Sequence, residues 1–196
     1  EVSGVAVDAQ GNVYVTETDN GLIRKILPDG TVSDLAGSYR VFGVEDGNGS
    51  SANFDNPRGI AIDATGNLYV TENSASVVRK ITPSGDVTTV AGVANTNGAG
   101  DGPALSATFS YPRGIAVDAA GNVYIADTNN SLVRQLRPNG TVRTLLGQIN
   151  NYDGVDGVGA SASFAYVENL FVTASGTLLV ADSDARAIRR IEAIKP

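Results

Sequence analysis

The sequence of 196 residues predicts an all-β fold built from repeated units, and three observations carry that prediction. The same pattern recurs every 55 residues without insertion or deletion, as the positions of Gly4, Gly59 and Gly114 show. Within each copy, short runs rich in Val, Ile, Thr and Tyr are separated by turns that contain Gly, Asn, Asp or Pro. No segment has the apolar spacing of an amphipathic helix.

The period divides the chain, taken as one domain of residues 1–196, into four units. They are residues 1–55, 56–110, 111–165 and a partial unit, 166–196. Fixed self-similarity of this length is typical of solenoids and propellers, in which a unit buries its apolar faces only against its neighbours. Shared positions should therefore serve the fold, and function is to be sought where the copies differ.

Each complete unit is predicted to form four short antiparallel strands. In the second unit we expect strands at residues 59–62, 68–71, 77–82 and 87–90. Asp63 and Gly66 supply the chemistry of a tight turn between the first two strands, and residues 83–85 form the second turn. Four such strands in a repeated unit are the pattern of a β-propeller blade.

Four shared positions of the unit have structural interpretations. Gly59 and Ala61 place small residues in the first strand, where strands crowd the central axis. Tyr69 recurs in each complete unit and is expected to wedge between adjacent sheets. Asp63 precedes the hairpin turn and is expected to cap it. These positions therefore predict a common blade rather than a site.

The run from Pro57-Arg58-Gly59-Ile60-Ala61 through Gly66-Asn67-Leu68-Tyr69-Val70-Thr71-Glu72 to the Arg-containing third strand resembles the NHL repeat. The linkers add to the resemblance, because each has an Asp-Gly pair and a Phe eight residues after that Asp, as in bacterial NHL repeats with long linkers. The resemblance covers essentially the whole chain and implies a propeller. NHL propellers include protein-binding, RNA-binding and enzymatic members, so it does not fix the function.

The resemblance also bears on the ends of the array. NHL propellers most often have six blades, whereas this sequence contains three complete units and a fourth that lacks its outer strand. The chain is therefore expected to form either a four-blade ring or an arc of a larger propeller. An exposed strand edge is expected near Ile188 to Ala193, where further blades or another copy of the chain would complete the fold.

Composition excludes several functions. The chain has no cysteine and no histidine, which removes thiolate chemistry, imidazole catalysis and histidine-bound zinc. A net charge of −7 argues against nucleic acid as a partner, and no apolar run is long enough to predict insertion into a membrane. A surface rich in Gly, Asn, Thr and Ser, with few lysines, favours an extracellular or cell-surface location.

An acidic residue follows the second strand in every unit: Glu17, Glu72, Asp127 and Asp182. Such carboxylates suggest a calcium site, but each unit supplies only one ligand, so we predict no cofactor and no metal. The alternative is structural, with the carboxylates accepting hydrogen bonds from nearby backbone. The Arg that recurs on the third strand is expected to be solvated or between blades, paired with neighbouring carboxylates: Arg24, Arg79, Arg134 and Arg189.

The linkers between units differ most, and they are expected to share one face of the disc. Tyr, Arg and Asn are residues that form adaptable recognition surfaces. Arg58 and Arg113 precede the innermost strands and are expected near the mouth of the central opening, where they receive an anionic group or pair with acidic residues of the loops. The predicted binding residues are Tyr39, Arg40, Phe42, Arg58, Arg113, Asn150, Tyr152 and Glu168.

The function that this sequence predicts is a non-catalytic recognition or structural module that binds a protein or glycan through the linkers. One alternative is a calcium-dependent lactonase or esterase, which repeated rather than specialised carboxylates and the lack of histidine disfavour. Another is a self-assembling subunit completed by further blades or by other copies. Enzymatic activity is thus the weaker expectation.

Overall fold

The computed structural model describes residues 1–191, and its four antiparallel sheets are arranged as the blades of a β-propeller. The predicted all-β fold is therefore confirmed. Helix is limited in the described chain to single 3-10 turns of three residues each, none of which is long enough to cross a membrane: Thr18–Asn20, Gly49–Ser51, Ala104–Ser106, Thr128–Asn130 and Gly159–Ser161.

The strands follow the repeat closely. The first unit contains β1 Val2–Val7, β2 Val13–Glu17, β3 Leu22–Ile26 and β4 Val32–Ala36. The second contains β5 Gly47–Asn48, β6 Pro57–Ile62, β7 Leu68–Glu72, β8 Val77–Ile81 and β9 Asp86–Ala91. The third contains β10 Gly102–Pro103, β11 Ile115–Val117, β12 Val123–Asp127, β13 Leu132–Leu136 and β14 Thr141–Gly147. The fourth contains β15 Val167–Val172, β16 Leu178–Asp182 and β17 Ala187–Ile191.

The middle blades have one strand more than the four that the sequence predicts. The order in the second blade is β5-β9-β8-β7-β6, and in the third it is β10-β14-β13-β12-β11. The extra strands β5 and β10 belong to the linkers, and each adds two residues to the outer edge of the blade that follows it. The expectation of four strands was wrong because it treated the linkers as free loops.

The predicted turn chemistry is present. Asp63 Oδ1 accepts hydrogen bonds from the backbone N–H groups of Thr65 and Asn67, both at 2.9 Å. The same carboxylate accepts a bond from the Tyr69 hydroxyl, which ties the turn to the second strand. Equivalent residues make these contacts in the first and third units, so local hydrogen bonds fix this end of each blade.

Inner strands approach one another closely. A side chain at Gly59 would overlap the backbone carbonyl of Arg113 in the next blade, which explains why this position is glycine. Ile60 packs with Ile23 and Phe54 in the core between the first two blades. The repeated spacing therefore produces one repeated interface, in which an inner strand packs against the first two strands of the preceding blade and shares a buried core with its third strand.

Among the described residues, the faces at the two ends of the array lack such packing. Val5 is 63% exposed, whereas the equivalent Ile60 is 6% exposed. Ile188 is exposed on the fourth blade, whereas the equivalent Ile23 is fully buried. The four blades therefore form an open arc. The predicted edge begins at Ile188 within β17, but Ala193 lies outside the described residues.

Candidate binding face

The linkers are residues 37–56, 92–114 and 148–166, and both ends of each linker lie at the same end of the blades as the turns between second and third strands. Backbone contacts show this, because the N–H of Arg40 donates to the carbonyl of Asn20 and the N–H of Asn95 donates to that of Ala75. The middle of the first two linkers runs along the outer edge of the next blade as β5 and β10. The hairpin turns between first and second strands are at the opposite end, as antiparallel pairing requires. We call the linker end the linker face.

Each linker is held by an arginine of the next blade, and this arginine is fully buried in the second and third blades. Arg79 on β8 is fully buried, and its Nη2 donates to the Asp46 carboxylate and to the carbonyl of Glu45, both at 2.9 Å. Its Nη1 donates to the carbonyl of Asn53 and to the Glu72 carboxylate. The Phe54 ring lies under the guanidinium, with its centroid 5.2 Å from Cζ. We call this arrangement the linker clamp.

The clamp recurs in the third and fourth blades. Arg134 pairs with Asp127 and Asp101 and lies over Phe109. Arg189 pairs with Asp182 and Asp156 and lies over Phe164. The expectation of paired guanidinium groups is confirmed. The expectation of a solvated arginine is wrong for Arg79 and Arg134, because the linker closes over them.

The predicted carboxylates therefore have protein partners in each blade. Glu72 accepts a hydrogen bond from the N–H of Asp55, and Asp127 accepts one from the N–H of Ser110. Asp182 accepts bonds from linker backbone as well. These donors lie in the linker rather than in the adjacent turn. Among the described residues, no group of three or more acidic side chains is arranged to hold a metal ion.

Burial perturbs the acids of the clamp. Loss of solvent raises the pKa of Glu72 to about 7, although the Arg79 guanidinium acts in the opposite direction. Burial also raises the pKa of Asp127, again against the effect of its neighbours. The same physical cause acts twice, so these shifts belong to the repeated clamp and do not mark a catalytic acid.

The first blade has the arginine but no preceding linker among the described residues. Arg24 is 27% exposed and pairs with Glu17 through Nη1 at 3.1 Å. Its Nε lies 2.6 Å from the carboxylate of Asp34. Position 34 is threonine in the second and third units, as Thr89 and Thr144. The first blade thus differs chemically as well as in burial.

Copy-specific side chains of the linkers are exposed. Tyr39, Phe42 and Tyr152 are 62%, 53% and 53% exposed, and Ile149 is 53% exposed. Phe42 and Tyr152 occupy the same position of their linkers, where the middle linker has Asn97. Sequence reasoning missed Ile149, which is equivalent to Tyr39, although its apolar type at a linker position was a usable signal. The outer linkers therefore present apolar pairs and the middle linker does not.

Two bulky residues of the linkers have left-handed backbone. Arg40 has φ 57° and Tyr111 has φ 50°. Asparagine, which tolerates this conformation better, is the equivalent residue elsewhere, as Asn95 and Asn56. The predicted residue Asn150 shares this backbone conformation with Arg40 and is also exposed. The guanidinium of Arg40 lies 5.3 Å from the centroid of the Tyr39 ring.

The inner strands of all four blades line a central cavity of about 750 Å³. Arg58, Arg113 and Glu168 line it at the linker face. Arg113 Nη1 donates to both carboxylate oxygens of Glu168, at 2.8 and 3.1 Å. Arg58 has weaker partners, because its Nη1 is 3.6 Å from Glu1 while Nε donates to Asn56 at 3.1 Å. Of the two predicted rim arginines, one pairs with an acid and the other keeps more of its charge available.

The structure thus places all eight predicted binding residues at one end of the molecule but in separate groups. Tyr39 and Arg40 contact each other, and Arg113 contacts Glu168. Tyr152 and Asn150 lie on the third linker, which joins a different pair of blades. The arrangement can therefore engage a partner at several points, and it does not converge on a single small pocket.

Comparison of the sequence and the structure with those of known proteins supports this architecture. A family model for the NHL repeat matches residues 109–136. NHL repeat-containing protein 2 of Homo sapiens is 30% identical over 132 residues, an alignment that covers 62% of this chain and 18% of that protein. The chain therefore spans less than a fifth of this relative.

Solved structures resemble the chain over almost its whole length. An auxiliary nutrient binding protein from Bacteroides thetaiotaomicron superposes with a TM-score of 0.74 at 17% identity, covering 95% of this chain and 46% of that one. A streptogramin B lyase superposes with a TM-score of 0.67 at 15% identity, covering 97% and 51%. At these identities the likeness is one of fold, and the chain corresponds to about half of each structure.

Proposed function

Because this chain belongs to the NHL-repeat family of β-propellers, we propose that it is a non-catalytic recognition module whose linker face binds a protein or a glycan. The observation that carries this proposal is the exposure of side chains that break the repeat, above all Tyr39, Phe42 and Tyr152. Exposed aromatic rings beside arginine are the usual anchors of protein interfaces. Such a module suits an extracellular or cell-surface setting, which the Gly-, Asn-, Thr- and Ser-rich composition favours.

The fixed positions of the linkers support the same role. Each linker is clamped by an arginine, which is fully buried in the second and third blades, so the exposed residues are held on a rigid base and lose little entropy when a partner binds. The left-handed backbone of Arg40 and Tyr111 is a second support. A conformation that disfavours these residues persists where the side chain itself is useful.

The test is a screen of the whole chain against glycan and protein arrays, followed by affinity measurements with variants. Phe42→Ala and Tyr152→Ala should each weaken binding to any partner found by about tenfold or more. The matched control is Gln10→Ala, because Gln10 is exposed in a hairpin turn at the opposite end. Equal affinity of all four proteins would place the site elsewhere. Calcium-dependent ester or lactone hydrolysis by the chain would instead favour the hydrolase alternative.

The open end faces favour a second role, association with another copy of the chain. Inside the array, Ile60 of one blade and Ile23 of the preceding blade share a buried core. Val5 is equivalent to Ile60, and Ile188 is equivalent to Ile23. The two end faces are therefore complementary and would join head to tail. Sedimentation at increasing concentration tests this, with Val5→Glu expected to abolish any self-association. A monomer at all concentrations would contradict it.

A further inference from the structure

A groove with a volume of about 490 Å³ lies between the second and third blades. Gly121 in a hairpin turn and Gly140 in the turn between β13 and β14 line it, which places it at the end opposite the linker face. The middle of the second linker, with Pro103 and Leu105, forms its outer wall. Both blades and the linker that joins them lie within the described residues, so the groove is internal to the array. Its volume is in the range that small-molecule sites occupy.

Leu105 gives the groove an exposed apolar side chain on a fixed base. It is 63% exposed and belongs to the 3-10 turn of residues 104–106. This turn is tied to the blade on both sides, because the N–H of Ala104 donates to the carbonyl of Gly140 and its carbonyl accepts a bond from the N–H of Gly92, both at 2.9 Å. The first and third linkers have smaller residues at the position of Leu105: Ser50 and Ala160. The apolar wall is therefore specific to this pair of blades.

Two cationic side chains line the same groove. The ammonium group of Lys80 on β8 lies 5.9 Å from the centroid of the Tyr69 ring. Arg137 donates from Nε to the Gln135 side chain at 3.4 Å, which is long for a hydrogen bond. Among the described residues, neither Lys80 nor Arg137 forms a salt bridge. The groove thus combines an apolar wall with two cations that have no acidic partner there, so its charge is complementary to an anionic group.

The other units show that the fold does not require this pair of cations. In the second blade, Thr82 stands at the position of Arg137 and donates to the Asp86 carboxylate at 3.2 Å. In the third blade, Gln135 stands at the position of Lys80 and is 3% exposed. The groove between the second and third blades therefore differs from its equivalents in both charge and apolar surface. Differences between copies of a repeat are where binding specificity is expected.

We propose that this groove binds a small carboxylic acid with an apolar body, either an aromatic ring or a short acyl chain. The body packs against Leu105 and the neighbouring apolar side chains, which removes their surface from water. The carboxylate accepts charge-assisted hydrogen bonds from Lys80, and Arg137 adds a second positive charge to the same groove. The residues that line the groove do not include those that carry the proposed recognition role of the linker face, so the two proposals stand or fall independently.

The test titrates the full chain with naphthoate and with octanoate, an aromatic and an aliphatic acid, while NMR follows the backbone signals. We expect saturable shifts at residues 103–106 and 136–140, with a Kd on the order of 0.1–1 mM for the better acid. The neutral amides of the same two acids should bind about tenfold more weakly, because they lose the charge-assisted hydrogen bonds. Added salt should reduce this preference. The acid that binds more tightly identifies the shape of the apolar body.

The variants use residues that the repeat already has at the equivalent positions, so each should keep the denaturation midpoint of the natural chain. Lys80→Gln should weaken the acids about tenfold and leave the amides unchanged. Leu105→Ser should weaken acids and amides alike, by about threefold to tenfold. Arg137→Thr is a second test of charge if Lys80→Gln does not fold, and it should weaken only the acids.

The matched control is Lys25→Gln, which removes the equivalent lysine of the first blade and should leave every Kd unchanged. Three results would each overturn the proposal. The first is that neither acid shifts the residues of the groove, and the second is that the acids bind no more tightly than their amides. The third is that the charge-removing variants of the groove have no more effect than Lys25→Gln.

Discussion

Arg24 and Arg79 occupy the same position of consecutive units, yet one is partly exposed and the other is fully buried. Both pair with the acidic residue at the end of the second strand, Glu17 or Glu72. The difference is that a linker with its aspartate and phenylalanine closes over Arg79. The comparison shows that a repeated sequence fixes local pairs, while burial and hence energy depend on the neighbouring unit.

The comparison predicts the largest difference for alanine substitutions of the two arginines. Arg79→Ala leaves Glu72 buried without its cation and frees the linker, so it should lower the free energy of unfolding by about 3–5 kcal/mol. Arg24→Ala removes a partly solvated side chain and should cost about 1 kcal/mol or less. Chemical denaturation of both variants measures the difference. Similar losses would mean that the linker contributes little to the clamp.

The pH dependence of stability should separate the same two units. The pKa of Glu72 rises from the ordinary 4.5 to about 7 on folding, so between these values the native chain holds a proton that the unfolded chain has lost. The contribution of Glu72 is therefore greatest below about pH 4.5 and falls as the pH rises towards 7, by on the order of 3 kcal/mol.

Glu72→Gln tests this because glutamine does not titrate. The free energy of unfolding of the variant should fall less than that of the natural chain between about pH 4.5 and 7. Glu17→Gln is the matched control in the first unit, where the carboxylate is less buried. If Glu72→Gln and the natural chain have parallel pH profiles, Glu72 remains ionised in the folded protein throughout this range.

The sequence predicted the part of this comparison that is local. Strands, turns and small inner residues follow from runs of a few residues, and Gly59 and Asp63 behave as expected. The clamp joins Asp46 to Arg79 across 33 residues, and spacing alone does not show such a contact. Arginine is rarely buried, so its burial was not expected either. The usable signal was that Asp, Phe and Arg all recur at the same period.

The binding residues were predicted in part for the same reason. Exposure of Tyr39 and Tyr152 follows from their place in linkers, which lie on the surface. The Arg113–Glu168 pair connects two blades and depends on their packing, so the sequence left open whether Arg113 meets a ligand or an acid. Backbone conformation at Arg40 and Tyr111 was equally invisible in the sequence.

The first and second units also differ at the position of Asp34 and Thr89, and exchanging this residue tests the comparison in a third way. Thr89→Asp gives the second blade the residue of the first, and its carboxylate would stand beside Asp46. We expect a loss of about 1–2 kcal/mol in the free energy of unfolding, from a lost hydrogen bond and from like-charge repulsion. Adding Asp46→Asn should restore much of it, and a double-mutant cycle measures the coupling. Additive losses would contradict the pairing of these positions.

The smallest expected effect compares the first linker with the second. Arg40 and Asn95 share a left-handed backbone, which costs arginine about 1 kcal/mol more than it costs asparagine. Arg40→Asn should therefore raise the free energy of unfolding by about 0.5–1 kcal/mol, while the reverse change Asn95→Arg lowers it by a similar amount. Both are measured by chemical denaturation. If Arg40→Asn also weakens binding to a partner of the linker face, the residue trades stability for recognition. A destabilising Arg40→Asn would instead show that stacking on Tyr39 outweighs the backbone cost.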